Sequence, residues 1–174
     1  MNILLTYNSK YGHTKKFADW IAEELHTTAF SFDKVDKTMI DKADTIVYGA
    51  GIYVFSVNIP QIIKDNADKN LVLFIVGASN PKDTDYTEVY NKSIPSELKD
   101  KIKIFHFQAG INYKKLSIMH KIMMRMIKSK FDKELEKNYS DQLKYSLDNY
   151  YNEYDFSNRE DIAELVNYVK NIIE

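Results

Sequence analysis

The sequence predicts an α/β domain in which a parallel β-sheet is covered by helices on both faces. Four short runs of apolar and β-branched residues lack the alternation of a half-exposed strand, so they fit strands buried on both faces. These runs are NILLTY (2–7), DTIVYGAG (44–51), LVLFIVGAS (71–79) and IKIFHFQAG (102–110). Helical patterns lie between them, and strands that alternate with helices indicate parallel pairing through right-handed crossovers.

A fifth, weaker run and five helical patterns complete the predicted elements. TAFSFD (28–33) alternates phenylalanine with small or polar residues, as expected of an edge strand. The first helix, about 13–26, has apolar residues at i, i+4 and i+8 and charged residues on its other side, so it is predicted to lie on the sheet. The other helices are predicted from Pro60 onward and over roughly 83–92, 116–131 and 160–173.

The composition limits the class of protein. A chain of 174 residues with 44% hydrophobic content suits one sizeable core, so a single domain over 1–174 is predicted. The net charge of −1 gives no general attraction to nucleic acid. The absence of cysteine excludes disulfides, cysteine-bound metals and thiol nucleophiles, and it favours a reducing compartment. No run approaches the ~20 apolar residues of a membrane span, so a cytoplasmic protein is expected.

Motifs of hydrolases and metal enzymes are not found. The chain has neither a recognisable Ser–His–Asp arrangement nor an H-E-x-x-H pattern, and its histidines and carboxylates lack metal-ligand spacing. No metal site and no catalytic side chain are therefore predicted. His106 lies on a buried strand and is interpreted as a core histidine with satisfied hydrogen bonds, while His26 is expected to end the first helix.

One long segment interrupts the alternation of strands and helices. Roughly fifty residues separate Gly110 from the last helix, where connections of ~2–6 residues are usual. Residues 111–157 are therefore predicted to be an insert with structure of its own, including an extra helix. Its tyrosine-rich part, 138–158, is predicted to seal the insert onto the domain, although stacking on a planar ligand is the alternative.

The stretch YNSKYGHTKKFADW (7–20) lies where the first strand turns into the first helix. A helix start has unpaired N–H groups and the positive end of the helix dipole, and this combination binds anions. Ser9, Thr14 and the backbone around Gly12 converge there, so a phosphate is the expected ligand. The alternative is a simple turn capped by a hydroxyl. The patterns of nucleoside-triphosphate and dinucleotide loops are absent.

Residues 9–14, S-K-Y-G-H-T, resemble the flavodoxin phosphate loop, T/S-x-T-G-x-T, which binds the ribityl phosphate of FMN. The departure is Tyr11, which stands where that family usually has threonine. The resemblance implies a flavodoxin-like three-layer sandwich with a five-stranded parallel sheet in the order 2-1-3-4-5. It also implies FMN as cofactor, with the phosphate held by Ser9, Lys10, Tyr11, Gly12, His13 and Thr14.

Two further loops fall at the carboxyl ends of the third and fourth strands, where open α/β sheets bind their ligands. In flavodoxins these loops contact the flavin ring. By the same resemblance, the ring of the cofactor is expected beside Ala50, Gly51, Ile52, Tyr53, Ala78, Ser79 and Asn80. The alternative for the first loop is that its glycines only terminate a strand.

The segment GINYKKLSIMHKIMMRMIKSK (110–130) and the loop GAGIY (49–53) resemble flavodoxin-like, menaquinone-dependent protoporphyrinogen dehydrogenases. That resemblance implies an oxidoreductase that passes electrons from a porphyrinogen through FMN to a quinone. The nearly neutral charge differs from the acidic charge of most flavodoxin carriers. A carrier without its own substrate, served by a redox partner protein, and a flavin-free α/β binding module remain the alternatives.

The predicted helix over 116–131 combines apolar and basic residues. Packing onto the core is the favoured interpretation for the apolar face, which carries Met119, Ile122, Met123, Met126 and Ile127. Contact with an anionic membrane surface, or with the carboxylates of a porphyrin, is the alternative. The candidate residues for that contact are Lys114, Lys115, Lys121 and Arg125.

Overall fold

The computed structural model describes residues 1–53, 56–66, 68–133 and 141–173, and a parallel five-stranded sheet forms its centre. The strands are β1 (Ile3–Asn8), β2 (Ala29–Ser31), β3 (Thr45–Tyr53), β5 (Asn70–Gly77) and β6 (Ile102–Gln108), in the order β2-β1-β3-β5-β6. A short strand, β4 (Ser56–Val57), pairs antiparallel with the end of β3. The predicted flavodoxin-like sheet with the order 2-1-3-4-5 is thus confirmed, since β4 adds no member to its parallel core.

Helices cover both faces of this sheet and bury one core on each side. The helices are α1 (His13–Glu24), α2 (Lys37–Lys42), α3 (Gln61–Lys64), α4 (Thr87–Ser93), α5 (Ile118–Lys133), α6 (Asp141–Asp148) and α7 (Ala163–Ile173). On one face, α1 and α7 bury Phe17, Ile21, Leu165 and Val169. On the other face, α2, α3 and α4 bury Ile40, Ile63 and Val89. Each fully buried side chain of this size stabilises the fold by roughly 1.5–3 kcal/mol.

Several predicted helix boundaries are wrong. The first helix ends at Glu24, because His26 adopts a left-handed conformation with φ of 51°. The N–H of Thr27 donates to Ala22 O and that of His26 to Glu23 O, which terminates the helix by pairing its last carbonyls. The helix predicted from Pro60 is only one turn long. Helix α2 was not predicted, because six residues are too few to show a helical period.

The insert has its own secondary structure, as predicted. Strands β7 (Ile111–Asn112) and β8 (Glu153–Tyr154) form an antiparallel pair at its two ends, and helices α5 and α6 lie between them. Tyr150 and Tyr154 are buried, and the Tyr150 hydroxyl donates to Met124 O at 2.9 Å. The Tyr150 hydroxyl thus joins the segment after α6 to α5 within the insert. The sealing of the insert onto the domain by its tyrosines stays a prediction, and Tyr139 lies outside the described residues.

His106 lies on β6 against two tyrosines from the α4 region. The ring of Tyr86 stacks on it at 3.7 Å, and the Tyr90 hydroxyl lies 2.5 Å from its Nε2. Its Nδ1 is buried without a hydrogen-bond partner among the described residues, so the predicted satisfied histidine is wrong for this atom. Burial lowers the pKa of His106 to about 4.

This lowered pKa predicts a loss of stability in mild acid. The unfolded chain, with an ordinary histidine pKa of 6.5, binds a proton between that pH and about 4 while the folded protein does not. The free energy of unfolding therefore falls by about 2 kcal/mol as the pH decreases through this window, after allowance for partial exposure. Urea unfolding at pH 7 and pH 4.5 measures the loss. A His106→Gln variant should show a smaller loss, and the control His26→Asn should behave as the wild type. The same pH dependence in all three proteins would contradict the assignment.

Candidate functional site

The carboxyl ends of β1, β3, β5 and β6 surround a cavity of about 150 Å³. The loops that follow these strands form its floor and sides, and helix α5 forms its outer wall. Open α/β sheets bind ligands at this edge, where the strand order reverses. Here the reversal lies between β1 and β3. The cavity is therefore the candidate site.

The loop after β1 leads into an uncapped helix start. Gly12 precedes α1 with φ of 98°, and no side chain caps the helix. Ser9 Oγ accepts the N–H of Gly12 at 3.2 Å, which closes the loop on itself. Thr14 lines the cavity and is 2% exposed. Because the space beside Gly12 is open and the helix dipole ends there, a phosphate dianion fits this corner.

His13 in the same loop faces the end of the insert. Its Nδ1 lies 3.9 Å from Asp155 Oδ2, and Lys16 Nζ lies 2.9 Å from the same oxygen. Burial lowers the pKa of His13, although Asp155 partly opposes this effect. Burial alone would raise the pKa of Asp155, but hydrogen bonds from Ser157 and Lys16 hold that pKa below its usual value. Charges thus join the first turn of α1 to the segment after β8.

The loop after β3 places Tyr53 over the backbone of Gly51. A Cβ on Gly51 would lie 2.8 Å from the Tyr53 hydroxyl oxygen, so the ring covers this peptide. The Tyr53 hydroxyl accepts the N–H of Lys10 at 3.4 Å, and burial raises its pKa. Tyr53 therefore connects the loop after β3 to the phosphate loop.

Tyr53 also borders a second hollow. This space of about 290 Å³ is lined by Asn8, Lys10, Ala50, Gly51, Tyr53 and Asn58. Gly51 and Tyr53 line the first cavity as well, so the tyrosine ring stands between the two spaces. Small-molecule sites usually measure ~300–1,000 Å³, and the first cavity alone is smaller.

The three residues predicted in the loop after β5 differ in their positions relative to the cavity. Ala78 lines the cavity, whereas Ser79 is exposed. Asn80 Oδ1 accepts the N–H of Lys82 at 3.0 Å, and its side-chain amide donates to Gln142 of α6 at 3.1 Å. Gln142 in turn donates to Gln108 at the end of β6. Asn80 thus connects the insert to the sheet edge.

The outer wall was missed by the sequence analysis. Residues 120, 123, 124 and 127 of α5 face the cavity, and Asn112 and Leu116 lie beside them. Their i, i+3, i+4, i+7 spacing indicates that the four residues share one helix face, but it does not show that this face meets the cavity. The prediction of a single packed face on this helix is wrong, because Met119, Ile122 and Met126 are exposed while Met123 and Ile127 line the cavity.

Three rings from distant parts of the chain meet at the cavity. The Tyr11 hydroxyl lies 2.7 Å from His120 Nδ1. The rings of Tyr53 and His120 stack with centroids 5.5 Å apart, and Tyr11 meets Tyr53 edge-on at 6.0 Å. Burial, with a smaller effect from Lys10, lowers the pKa of His120. The phosphate loop, the loop after β3 and the insert therefore share one aromatic cluster.

The basic residues predicted as contacts lie away from the cavity wall. Lys114, Lys115 and Arg125 are exposed, and Lys121 Nζ donates to Lys114 O at 3.2 Å. Within the described ranges, no Asp, Glu, Lys or Arg side chain lines the cavity. The same ranges contain no group of three side chains that could hold a metal ion, and none of their helices is long and apolar enough to cross a membrane.

Solved structures of flavodoxins are among those similar to this chain. An archaeal flavodoxin is 15% identical, with 60% of this chain and 78% of the other covered and a TM-score of 0.42. A WrbA-like flavodoxin protein from Agrobacterium tumefaciens is 20% identical, with 68% and 87% covered and a TM-score of 0.44. The two-electron reduced flavodoxin of Megasphaera elsdenii is 14% identical, with 60% and 82% covered and a TM-score of 0.40.

The comparison with protein families covers most of the chain. No curated protein matches the sequence. The family model described as a flavodoxin domain matches residues 4–138, which include the phosphate loop, the parallel sheet and helix α5. The chain therefore belongs to the flavodoxin domain family.

Proposed function

We propose that the protein binds FMN at this cavity and acts as an oxidoreductase. The uncapped start of α1 beside an open corner is the observation that carries the proposal, because it suits a dianionic phosphate. The backbone of residues 9–14 would hold that phosphate, and the ring would lie beside Ala50, Gly51, Ile52, Tyr53 and Ala78. When bound, the flavin supplies the electron transfer, while the protein supplies binding and orientation.

Titration with FMN tests this proposal directly. Purified protein is expected to turn yellow on addition of FMN and to quench flavin fluorescence with one site per chain. Thermal unfolding should shift upward with FMN, since a ligand that binds only the folded state stabilises it. If the protein shows neither response, it is neither an oxidoreductase nor an electron carrier that uses FMN. The flavin-free binding module is then the remaining alternative.

The finer function that we propose is oxidation of a porphyrinogen with a quinone as acceptor. The resemblance of residues 110–130 to the porphyrinogen dehydrogenases supports it, and this segment includes Met123, Met124 and Ile127, which form an apolar wall beside the cavity. Carboxylates of a porphyrinogen would reach the predicted cations, Lys114, Lys115, Lys121 and Arg125, only outside the cavity.

An assay with reduced porphyrin and a quinone separates this enzyme from a carrier. The enzyme should oxidise the porphyrinogen repeatedly and reduce three quinones for each porphyrin formed, because that oxidation releases six electrons and each quinone accepts two. Reversible flavin reduction with negligible turnover would establish the carrier served by a redox partner protein instead.

A second candidate function is peripheral contact of helix α5 with an anionic membrane. The outer stripe of α5, defined as Ile118, Met119, Ile122 and Met126, is largely exposed, at 80%, 67%, 53% and 62%. Lys114, Lys115 and Arg125 are exposed near the same helix. An amphipathic helix with an apolar side and flanking cations binds the interface of anionic lipids.

Substitution in the outer stripe tests this contact. An Ile122→Gln, Met126→Gln variant should bind anionic vesicles at least about tenfold more weakly, because each lost apolar side chain removes ~1–2 kcal/mol of burial. Co-sedimentation with vesicles with and without phosphatidylglycerol measures the effect. Tyr145→Gln, which removes an exposed aromatic side chain outside the stripe, should leave binding unchanged. Wild-type protein that ignores anionic vesicles would eliminate the membrane contact.

A further inference from the structure

The side chain of Tyr11 turns out of the phosphate loop and attaches to the insert. Its hydroxyl oxygen accepts the N–H of Ser117, the residue before α5, at 3.3 Å. The same hydroxyl lies 2.7 Å from Nδ1 of His120, in the first turn of that helix. Ser117 Oγ accepts the N–H of His120 at 3.3 Å and thereby caps α5. One phenol thus holds both the cap and the first turn of the helix that walls the cavity.

The hydrogen bonds define the proton positions in this connection. The Tyr11 oxygen accepts the N–H of Ser117, and its own hydrogen can be donated to His120 Nδ1. Burial lowers the pKa of His120, which favours its neutral ring. With Tyr11 as the donor, that neutral ring would carry its hydrogen on Nε2. Phenylalanine at position 11 would remove both hydrogen bonds while keeping the edge-on contacts of the ring with Tyr53 and His120.

We propose that Tyr11 is a positioning residue that couples occupation of the phosphate loop to the placement of α5 over the cavity. The backbone of Tyr11 directly precedes Gly12 and the uncapped helix start, so an anion bound there restrains the residue whose side chain holds α5. This coupling rests on the proposed binding of FMN. Riboflavin has the same ring as FMN but no phosphate, so it should not restrain Tyr11 in this way.

The coupling is reciprocal. If an anion in the phosphate loop stabilises the docked position of α5, the docked helix strengthens anion binding by the same factor. Loss of the Tyr11 hydroxyl should therefore weaken FMN binding more than riboflavin binding. A residue that only supported the fold would affect the two flavins equally.

Hydrogen–deuterium exchange of α5 tests the coupling in wild type and in Tyr11→Phe, without flavin, with FMN and with riboflavin. Without flavin, the amide hydrogens of residues 118–122 should exchange roughly fivefold to tenfold faster in Tyr11→Phe than in wild type. In wild type, FMN should slow exchange along α5 about tenfold more than riboflavin does, and in Tyr11→Phe this difference should disappear. Tyr90→Phe removes another tyrosine–histidine hydrogen bond, between two residues that do not line the cavity, and is the matched control that should keep the wild-type response.

The nitrogen spectrum of His120 gives a second readout. Wild type should show a single neutral tautomer with the hydrogen on Nε2, and Tyr11→Phe should show a mixture of both. Equal protection of α5 by FMN and riboflavin in wild type, or an unchanged response in Tyr11→Phe, would overturn the coupling and leave FMN binding intact. Absence of FMN binding would overturn both proposals. In that case the flavin-free exchange still shows whether Tyr11 holds α5.

Discussion

A Gly12→Ala, Thr14→Val variant is expected to bind FMN about a hundredfold more weakly while its affinity for riboflavin changes less than about threefold. Alanine at position 12 is strained, because the backbone there has φ of 98° and the left-handed region disfavours residues with a Cβ. The strain shifts the N–H groups at the start of α1. Valine keeps the shape of the buried Thr14 but removes its hydroxyl, and a hydrogen bond to a charged group contributes ~1.5–3 kcal/mol.

Fluorescence titration with the two flavins measures this effect, and thermal unfolding of the flavin-free variant checks its fold. Thr45→Val is the matched control. Thr45 is buried at the amino end of β3, and its hydroxyl has no partner among the described residues, so its removal should leave both affinities unchanged. Equal losses for FMN and riboflavin in the double variant would show that the loop serves the fold and not a phosphate.

The sheet was predictable because β1, β3 and β5 are largely buried on both faces, and such strands read as short apolar runs without alternation. The edge strand β6 is only partly buried, yet its run is also rich in apolar residues. The order of the strands came from the resemblance, since apolar runs carry no information on which strand pairs with which. The elements that were not predicted from the sequence are short. Helix α2 has six residues and β4 has two, and neither length repeats a period often enough to be recognised.

The site was predictable only where it follows the strands directly. The loops after β1, β3 and β5 were expected at the sheet edge, and Thr14, Gly51 and Ala78 line the cavity there. The outer wall could not be located, because the contact between Tyr11 and His120 joins residues 109 positions apart. Helical periodicity shows which residues share a face but not what that face meets. Lys121 and Arg125 were predicted as contacts, whereas the face of α5 that lines the cavity contains His120 and Met124.

The largest structural effect is expected from Gly110→Ala, at the point where the insert leaves the sheet. A Cβ on Gly110 would overlap the carbonyl oxygen of Tyr154 and lie 2.6 Å from the Cα of Asp155. Both are backbone atoms, so rotation of a side chain cannot relieve the overlap. The β7–β8 pair must move, and we expect a loss of about 3 kcal/mol in the free energy of unfolding, the upper end for overpacking.

Displacement of β8 should also change the site, because Asp155 would move away from Lys16 and His13. We therefore expect Gly110→Ala to expose the insert to limited proteolysis at protease concentrations that leave the wild type intact. Urea unfolding measures the stability. Gly77→Ala is the matched control at the same edge, since its Cβ would lie 3.2 Å from the flexible Cδ1 of Ile52 and should cost less than about 1 kcal/mol. If Gly110→Ala resists urea and protease as the wild type does, the close packing of β8 on Gly110 is wrong.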